Sequence, residues 1–532
     1  MQFKFLLRSL WHYRRSHLGV VAGTIVGATV LLGALFAGDS VSSALKRLAS
    51  LRVGQAEYVL TAGDRFVTQG LAERIESELE LDAAPILMLR GSAARSELKL
   101  LASQVQALGV DEAFWEFAPD SDLAALQMDR GSVAVNRRLA ERLELKVGDS
   151  FVFRIEKPGL LSRDAPMSGS KDNVVGIRAK VASVVGDDQF GRFSLQANQI
   201  APFTIFAPIE WIQEQIEYPD RANLVLLKAK SSRTTPISSV ELTKALGPLM
   251  ELEDYGLSLV DIPLAQTTEI RSERVFIDDF VSRLIQKQFP QAEPVVTYLA
   301  NTLRSGDRET PYSMVAGVKG QGVPFFGGDL KSDETVINQW LADDIGAQVG
   351  DELQIDYYMV DESNELIEES RSFTIRSIAP MKGLAVDPLW MPDFPGVSGV
   401  DDSADWEPGM PLDLDRIRDQ DEDYWDDYRG APKAFIALES GVEQWTNRWG
   451  SHTAFRVPLS ESSPRDLETN LKSILDPAIV GIQALSFRDS ALRSANSPVD
   501  IGGLFIGMSF FLIVASLSLI SMLFSFSMQQ VN

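Results

Sequence analysis

The densest concentration of reactive side chains in this 532-residue sequence lies at 401–427. There DDSADWEPGMPLDLDRIRDQDEDYWDD carries twelve acids. Hard cations such as Ca²⁺ select clustered carboxylates. Yet the run DQDED at 419–423 lacks the turn glycine and distal glutamate of an EF-hand loop. The segment therefore reads as a solvated acidic loop. Its interleaved Trp406, Tyr424, Trp425 and Tyr428 form a candidate docking or carbohydrate-facing surface. The three histidines, His12, His17 and His452, have no ligand spacing and no nucleophile motif beside them, and His452 reads as a surface or packed residue. The Gly-rich stretch VAGVKGQGVPFFGG at 315–328 lacks the Lys-Ser/Thr ending of a phosphate-binding loop. With no cysteine there is no thiolate nucleophile, disulfide or Cys-based metal site. Catalytic, cofactor-binding and metal-ligating residues are thus assigned to none, and the chain reads as a non-enzyme.

The elements that carry these residues are bracketed by two uncharged apolar runs. The first is Leu18 to Ala37 and the second Ile501 to Met528. Each is long enough to cross a bilayer core of about 30 Å as a helix. The first is too long for a typical signal-peptide core and lacks an A-x-A site at its end. Residues 1–17 hold Lys4, Arg8, Arg14 and Arg15 and no acid, which sets that end in the cytoplasm, with Arg14 and Arg15 as the membrane anchor. The organisation expected is a basic cytoplasmic segment at 1–17 and a span at 18–38. External units at 39–255 and 256–497, a span at 501–528 and a cytoplasmic end at 529–532 follow. The exterior holds 46 bases against 74 acids, a balance that repels nucleic acid. Gly19, Gly23 and Gly27 fall four apart in the first run, and Gly503 and Gly507 do so in the second. That spacing puts small residues on one helix face for close packing.

The exterior contains an internal duplication. VNRRLAERLELKVGDSFVF at 135–153 matches INQWLADDIGAQVGDELQI at 337–355 at an offset of 202. Asn136, Leu139, Ala140, Val147, Gly148 and Asp149 meet Asn338, Leu341, Ala342, Val349, Gly350 and Asp351. The pattern is a short amphipathic helix, a Gly-Asp turn and an alternating strand. Further blocks keep the same order: 105–110 with 313–318, 181–186 with 375–380, and 203–216 with 433–446. Long loops are expected at 158–174 and 382–432, and the boundary between units near Tyr255–Gly256.

Taken in order, the basic N-terminal helix, the Gly-rich span ending in GDSV, the N-x-x-L-A…VGD block and the run GLFIGMSFFLIVASLSLISMLFSFS resemble the permease subunits of MacB/FtsX-type ABC transporters, lipoprotein-release permeases included. The resemblance covers nearly the whole chain. It implies an α+β fold: two transmembrane helices flanking a large duplicated mixed α+β extracytoplasmic region on stalks that continue the membrane helices. It also implies a multi-pass protein of the cell (inner or plasma) membrane, with the lipid bilayer and a cytoplasmic ABC ATPase as partners. A second permease copy and envelope proteins are candidate partners. Members of that family continue past the second span into a coupling helix and further spans, whereas here Gln529 to Asn532 follow it, so a truncated or split permease is expected. A membrane-tethered envelope scaffold or sensor is the alternative.

Overall fold

The computed structural model describes residues 11–525 apart from 13, 121–127, 158–173, 199, 234, 236, 321–322, 361–365, 395, 404–405, 407–411, 496–506, 508–509, 512–513, 516 and 523. The loop expected at 158–174 lies, but for Val174, outside the described residues.

The chain opens with helix α1 (Arg14–Val53), 40 residues long. The first repeat follows as β1 (Tyr58–Thr61), α2 (Gly70–Glu78), β2 (Leu81–Arg95), β3 (Leu100–Val110), α3 (Glu112–Glu116), β4 (Ser132–Asn136), α4 (Arg137–Leu143), β5 (Ser150–Glu156), β6 (Val174–Val185), β7 (Phe203–Pro208), α5 (Ile209–Gln215), β8 (Leu224–Ala229) and α6 (Ser239–Leu246). Next come β9 (Leu257–Ile262), β10 (Thr267–Ser272), α7 (Asp279–Gln288), β11 (Glu293–Ser305), β12 (Arg308–Val318), β13 (Glu334–Asn338), α8 (Gln339–Ile345), β14 (Glu352–Val360) and β15 (Leu366–Ala379). The chain then forms α9 (Asp419–Tyr428), β16 (Ala434–Ala437), α10 (Leu438–Trp445), β17 (Ala454–Pro458), α11 (Pro464–Ile474), β18 (Gln483–Ser486) and α12 (Phe487–Ala495).

The strands build two nine-stranded sheets of one topology. The first runs β18-β1-β8-β2-β3-β7-β4-β6-β5 and the second β9-β10-β17-β11-β12-β16-β13-β15-β14. In each, the long strand near the middle also pairs with the last, β2 with β5 and β11 with β14. Six strands therefore close on themselves as a barrel, and three more extend from it as a wing. Barrel closure leaves few free edges. β5 shows why these residues make strands: Phe151, Phe153 and Ile155 alternate inward, each nearly fully buried. Each such side chain contributes on the order of 2 kcal/mol by leaving water.

The repeats are interlocked. The strand after α6 is β9, and it joins the second sheet through β10. The strand after α11 is β18, and it joins the first sheet through β1. By its place in the topology β9 matches β18, so the first repeat runs on through Ile262, past the boundary expected near Tyr255–Gly256, and each repeat lends its last strand to the other. Between the sheets, four helices contribute one i,i+4 pair each to a common core: Leu71 and Ile75, Leu242 and Leu246, Val281 and Ile285, Leu467 and Leu471. Polar links cross the same seam: Arg221 pairs with Glu273, Arg274 with Asp64 (3.1 Å) and Lys472 with Glu251.

The ladders also set the register of the duplication. Phe206 stands opposite Ala134, and Phe435 opposite Val336. Because Ala134 matches Val336 at the offset of 202, Phe206 matches Phe435. The alignment by sequence set Phe206 against Ile436, one residue away. In a strand such a slip exchanges the two faces, and both faces of β7 and β16 are apolar, so composition does not fix it.

Candidate functional site: the stalk junction

At 1.5 Å per residue, α1 is about 60 Å long, roughly twice a bilayer core. Among the described residues one helix is long and apolar enough to cross a membrane, and it is this one, over Val21–Val53. Gly23 is buried while Gly19 and Gly27 are half-buried on the same side. A Cβ on Gly23 would lie 2.8 Å from Ile520 Cγ1, so the second apolar run passes against this face. Gly507 is exposed, and nothing stands within 4 Å of where its Cβ would be. Gly503 lies outside the described residues. Arg14 is exposed, with its guanidinium 5.2 Å from the Trp11 ring, and Arg15 continues the helix beside it.

The helix ends in the first sheet. Ala49 and Val53 enter a cluster with Val59, Ile86, Leu108 and Phe206, closed by Phe114, Phe117, Phe190 and Phe193. Gly54 ends the helix with φ +58°. A Cβ there would overlap the Phe117 carbonyl oxygen and stand 2.6 Å from the Phe190 ring, so only glycine fits both the angle and the gap. The next residue ties the chain down: the Gln55 amide donates to Phe117 O (2.8 Å) and its side chain to Ala118 O (3.1 Å). Arg52, in the last turn, is 7% exposed, and its Nε and Nη1 have no hydrogen-bond partner. Burial pulls its pKa down, while its place at the helix C-terminus favours the cation.

The second stalk, α12, meets the same point from the other side. The amides of Phe487 (2.9 Å) and Arg488 (3.1 Å) both donate to Glu57 O, and Arg488 Nη1 donates to Gly54 O (3.1 Å). Phe487 completes the aromatic seat, 6.3 Å from Phe193. No local pattern marks this seat, because its parts come from segments as much as 434 residues apart.

The second repeat closes the matching face differently. Val59 pairs with Leu226 in the first sheet, and at the same ladder position Glu269 pairs with Arg456 in the second. Glu269 accepts from Arg271 Nε and Arg456 Nε, both at 2.6 Å, and all three side chains are buried. Both arginines also donate to Leu389 O, and Arg456 lies 3.4 Å over the Trp390 ring. The segment around Leu389 and Trp390 thus covers the face that the stalks cover in the first repeat.

The repeat turns take one geometry twice. Gly148 (φ +94°) donates to Val181 O and Gly350 (φ +96°) to Ile375 O, both at 2.8 Å. The Asp149 carboxylate accepts from the Lys146 amide (3.0 Å), and Asp351 accepts from Gln348 (2.8 Å). Asn136 and Asn338 cap the preceding helices, accepting from Leu139 (3.0 Å) and Leu341 (2.8 Å).

Over its last part the acidic segment is not the solvated loop expected from its charge, and 404–405 and 407–411 lie outside the described residues. Residues 419–428 form α9, and Trp406, Tyr424 and Trp425 are buried. Trp406 and Trp425 belong to the second barrel's core, so these aromatics do not form a docking surface. The cause is Lys433, enclosed by Asp421 (3.4 Å) and by the Trp340 and Tyr424 rings at 4.1 and 4.7 Å. Burial pulls its pKa down to about 8, with Asp421 opposing. Burial works to raise Asp421, but Arg418 and Lys433 outweigh it and hold the carboxyl low. His452 packs on Phe455 (5.2 Å), and burial lowers its pKa. Phe325 and Phe326 of the Gly-rich stretch pack on Phe435. Among the described residues no cluster of acids and histidines has the form of a metal site.

These features define a class: a mixed α+β body of two barrel-and-wing repeats, carried on a long apolar helix. No protein-family model and no curated protein matches the sequence. Among solved structures, the chain is similar to the periplasmic region of MacB from Actinobacillus actinomycetemcomitans at 10% identity and TM-score 0.25, over 38% of this chain and 85% of that one. It is also similar to the extracellular domain of the ABC-type transporter YknZ from Gram-positive bacteria, at 9% identity and TM-score 0.22, over 33% and 84%.

Proposed function

We propose that this chain is a non-catalytic permease-type subunit of a MacB/FtsX-class ABC system, multi-pass in the cell membrane. It relays movement driven by a cytoplasmic ATPase partner to its extracytoplasmic repeats, for export or lipoprotein release. The observation that carries this reading is α1. One unbroken helix holds an uncharged membrane-length run at its lower end and is embedded in a protein core at its upper end. A helix anchored that way transmits tilt or axial shift over its whole length, because its backbone hydrogen bonds resist local deformation. The order of motifs in the sequence supplies the ATPase partner.

The test is purification of the tagged full-length chain from native membranes in mild detergent. Co-purification of a Walker-motif ATPase, with ATP hydrolysis lost when α1 is interrupted by proline at Ala44, supports the reading. An exterior that purifies without any nucleotide-binding protein, while envelope proteins remain bound, would favour the scaffold or sensor instead.

A further inference from the structure

The two stalks reach the first sheet as neighbouring strands. α1 leads through Gly54 into β1, and β18 leads directly into α12. β1 and β18 pair antiparallel over their full length: Tyr58 with Ser486, Val59 with Leu485, Leu60 with Ala484 and Thr61 with Gln483. Outside the ladder, Glu57 O accepts from two α12 amides, and Arg488 reaches back to Gly54 O. At the lower end, Gly23 lies against Ile520.

We infer that the two stalks are locked against sliding past each other and shift as one body. A one-residue slip of β18 would turn buried Ala484 outward and bring exposed Gln483 and Leu485 onto the covered face of the sheet. A two-residue slip would leave two of the four pairs and break every contact at Glu57. The lock also binds the second repeat to the stalks, because β18 follows α11 of that repeat in the chain. Its mechanical consequence rests on the permease reading above: an input at the membrane arrives as tilt or translation of the pair, and both repeats follow it.

The chain has no cysteine, so introduced pairs report without background. Thr61 is half-buried and Gln483 exposed, which makes both tolerant of replacement. The full-length chain carrying T61C/Q483C is placed in liposomes and oxidised with copper phenanthroline. A second variant, T61C/L485C, reports a two-residue slide. In-register cysteines lie within disulfide range, whereas the diagonal pair does not. The expected result is near-complete cross-linking of T61C/Q483C and roughly tenfold less of T61C/L485C. Comparable cross-linking of the two overturns the lock. The measurement needs no ATPase, so loss of the permease reading leaves it standing. Repeating it with the ATPase and ATP shows whether a confirmed lock holds under load, and capture of T61C/L485C only then would overturn it as well.

Discussion

Replacing Gly54 with alanine adds one methyl group at the point where the stalk enters the sheet, and the structure sets two separate costs. At φ +58° a Cβ is strained by about 1–2 kcal/mol. The methyl would also overlap the Phe117 carbonyl and stand 2.6 Å from the Phe190 ring. Neither neighbour is a flexible chain end, so the seat must open, at about 1–3 kcal/mol. The total is about 2–5 kcal/mol. Gly306→Ala is the control: its φ is also +58° and nothing stands within 4 Å of the added methyl, so only the conformational cost of about 1–2 kcal/mol applies. Urea unfolding of the full-length chain in detergent, followed by tryptophan fluorescence, measures both. Hydrogen exchange at residues 53–57 then shows whether the Gly54 loss sits at the stalk head. Equal destabilisation by the two substitutions would refute the close approach at Gly54, and with it the argument that the seat grips the stalk.

Lys433→Met tests the buried cation. Below pH 8 the lysine is charged both folded and unfolded, so its burial cost is fully present. Above about 8 the folded chain releases a proton that the unfolded chain keeps to 10.5, so stability rises with pH across that window, by on the order of 3 kcal/mol. Urea midpoints at pH 7 and 10 should show the rise in the parent chain relative to Lys433→Met; parallel profiles would contradict it. Asn136→Ala and Asn338→Ala each remove a cap and leave buried carbonyls, of Gly191 and Pro202 or of Pro432, without a donor. Both should cost about 2–4 kcal/mol in the same unfolding assay, and a difference of more than about 2 would deny their equivalence. Glu269→Val leaves Arg271 and Arg456 buried without their carboxylate and should cost about 3–5 kcal/mol, whereas Glu269→Val with Arg271→Thr and Arg456→Leu restores the residue types of the first repeat, leaves no buried charge and should recover most of it. A triple variant as destabilised as Glu269→Val alone would exclude coupling.

The sequence displayed what depends on local spacing. The alternation in FVFRIE and the Asn-x-x-Leu-Ala…Val-Gly-Asp pattern each encode a strand, a cap or a turn within a few residues, and the two copies take matching conformations. Helix α1 was legible only as its apolar part, because residues 39–53 carry Asp39, Lys46, Arg47 and Arg52 and resemble ordinary soluble sequence. The acidic segment misled because a charge count says nothing of the helix face on which Tyr424 and Trp425 sit, nor of Lys433, twelve residues beyond Asp421, which draws that carboxylate inward. Strand exchange left no trace at all. Nothing in LSLVDI or QALS names the sheet that each joins, and only the fold decides it.

Exchange and asymmetry together say how such an exterior can be driven from below. Two identical repeats would offer two equal seats, and a pair of stalks could settle in either. Here the first sheet offers Val59, Leu226 and a ring of phenylalanines, while the second fills the matching place with Glu269, Arg271 and Arg456 beneath Leu389 and Trp390. A buried ion triad adds little net stability, but it excludes an apolar helix, which would strand its charges. Among the described residues the stalks therefore have one such seat, and the second repeat is reached through the four-helix core, the ion pairs beside it and the exchanged strands β9 and β18. Those strands make the coupling obligatory: pulling the repeats apart would break two antiparallel ladders and open a core in which every helix buries two apolar side chains. On the permease reading proposed above, a force applied at the membrane would enter at that seat and reach the far repeat through the shared core and the exchanged strands.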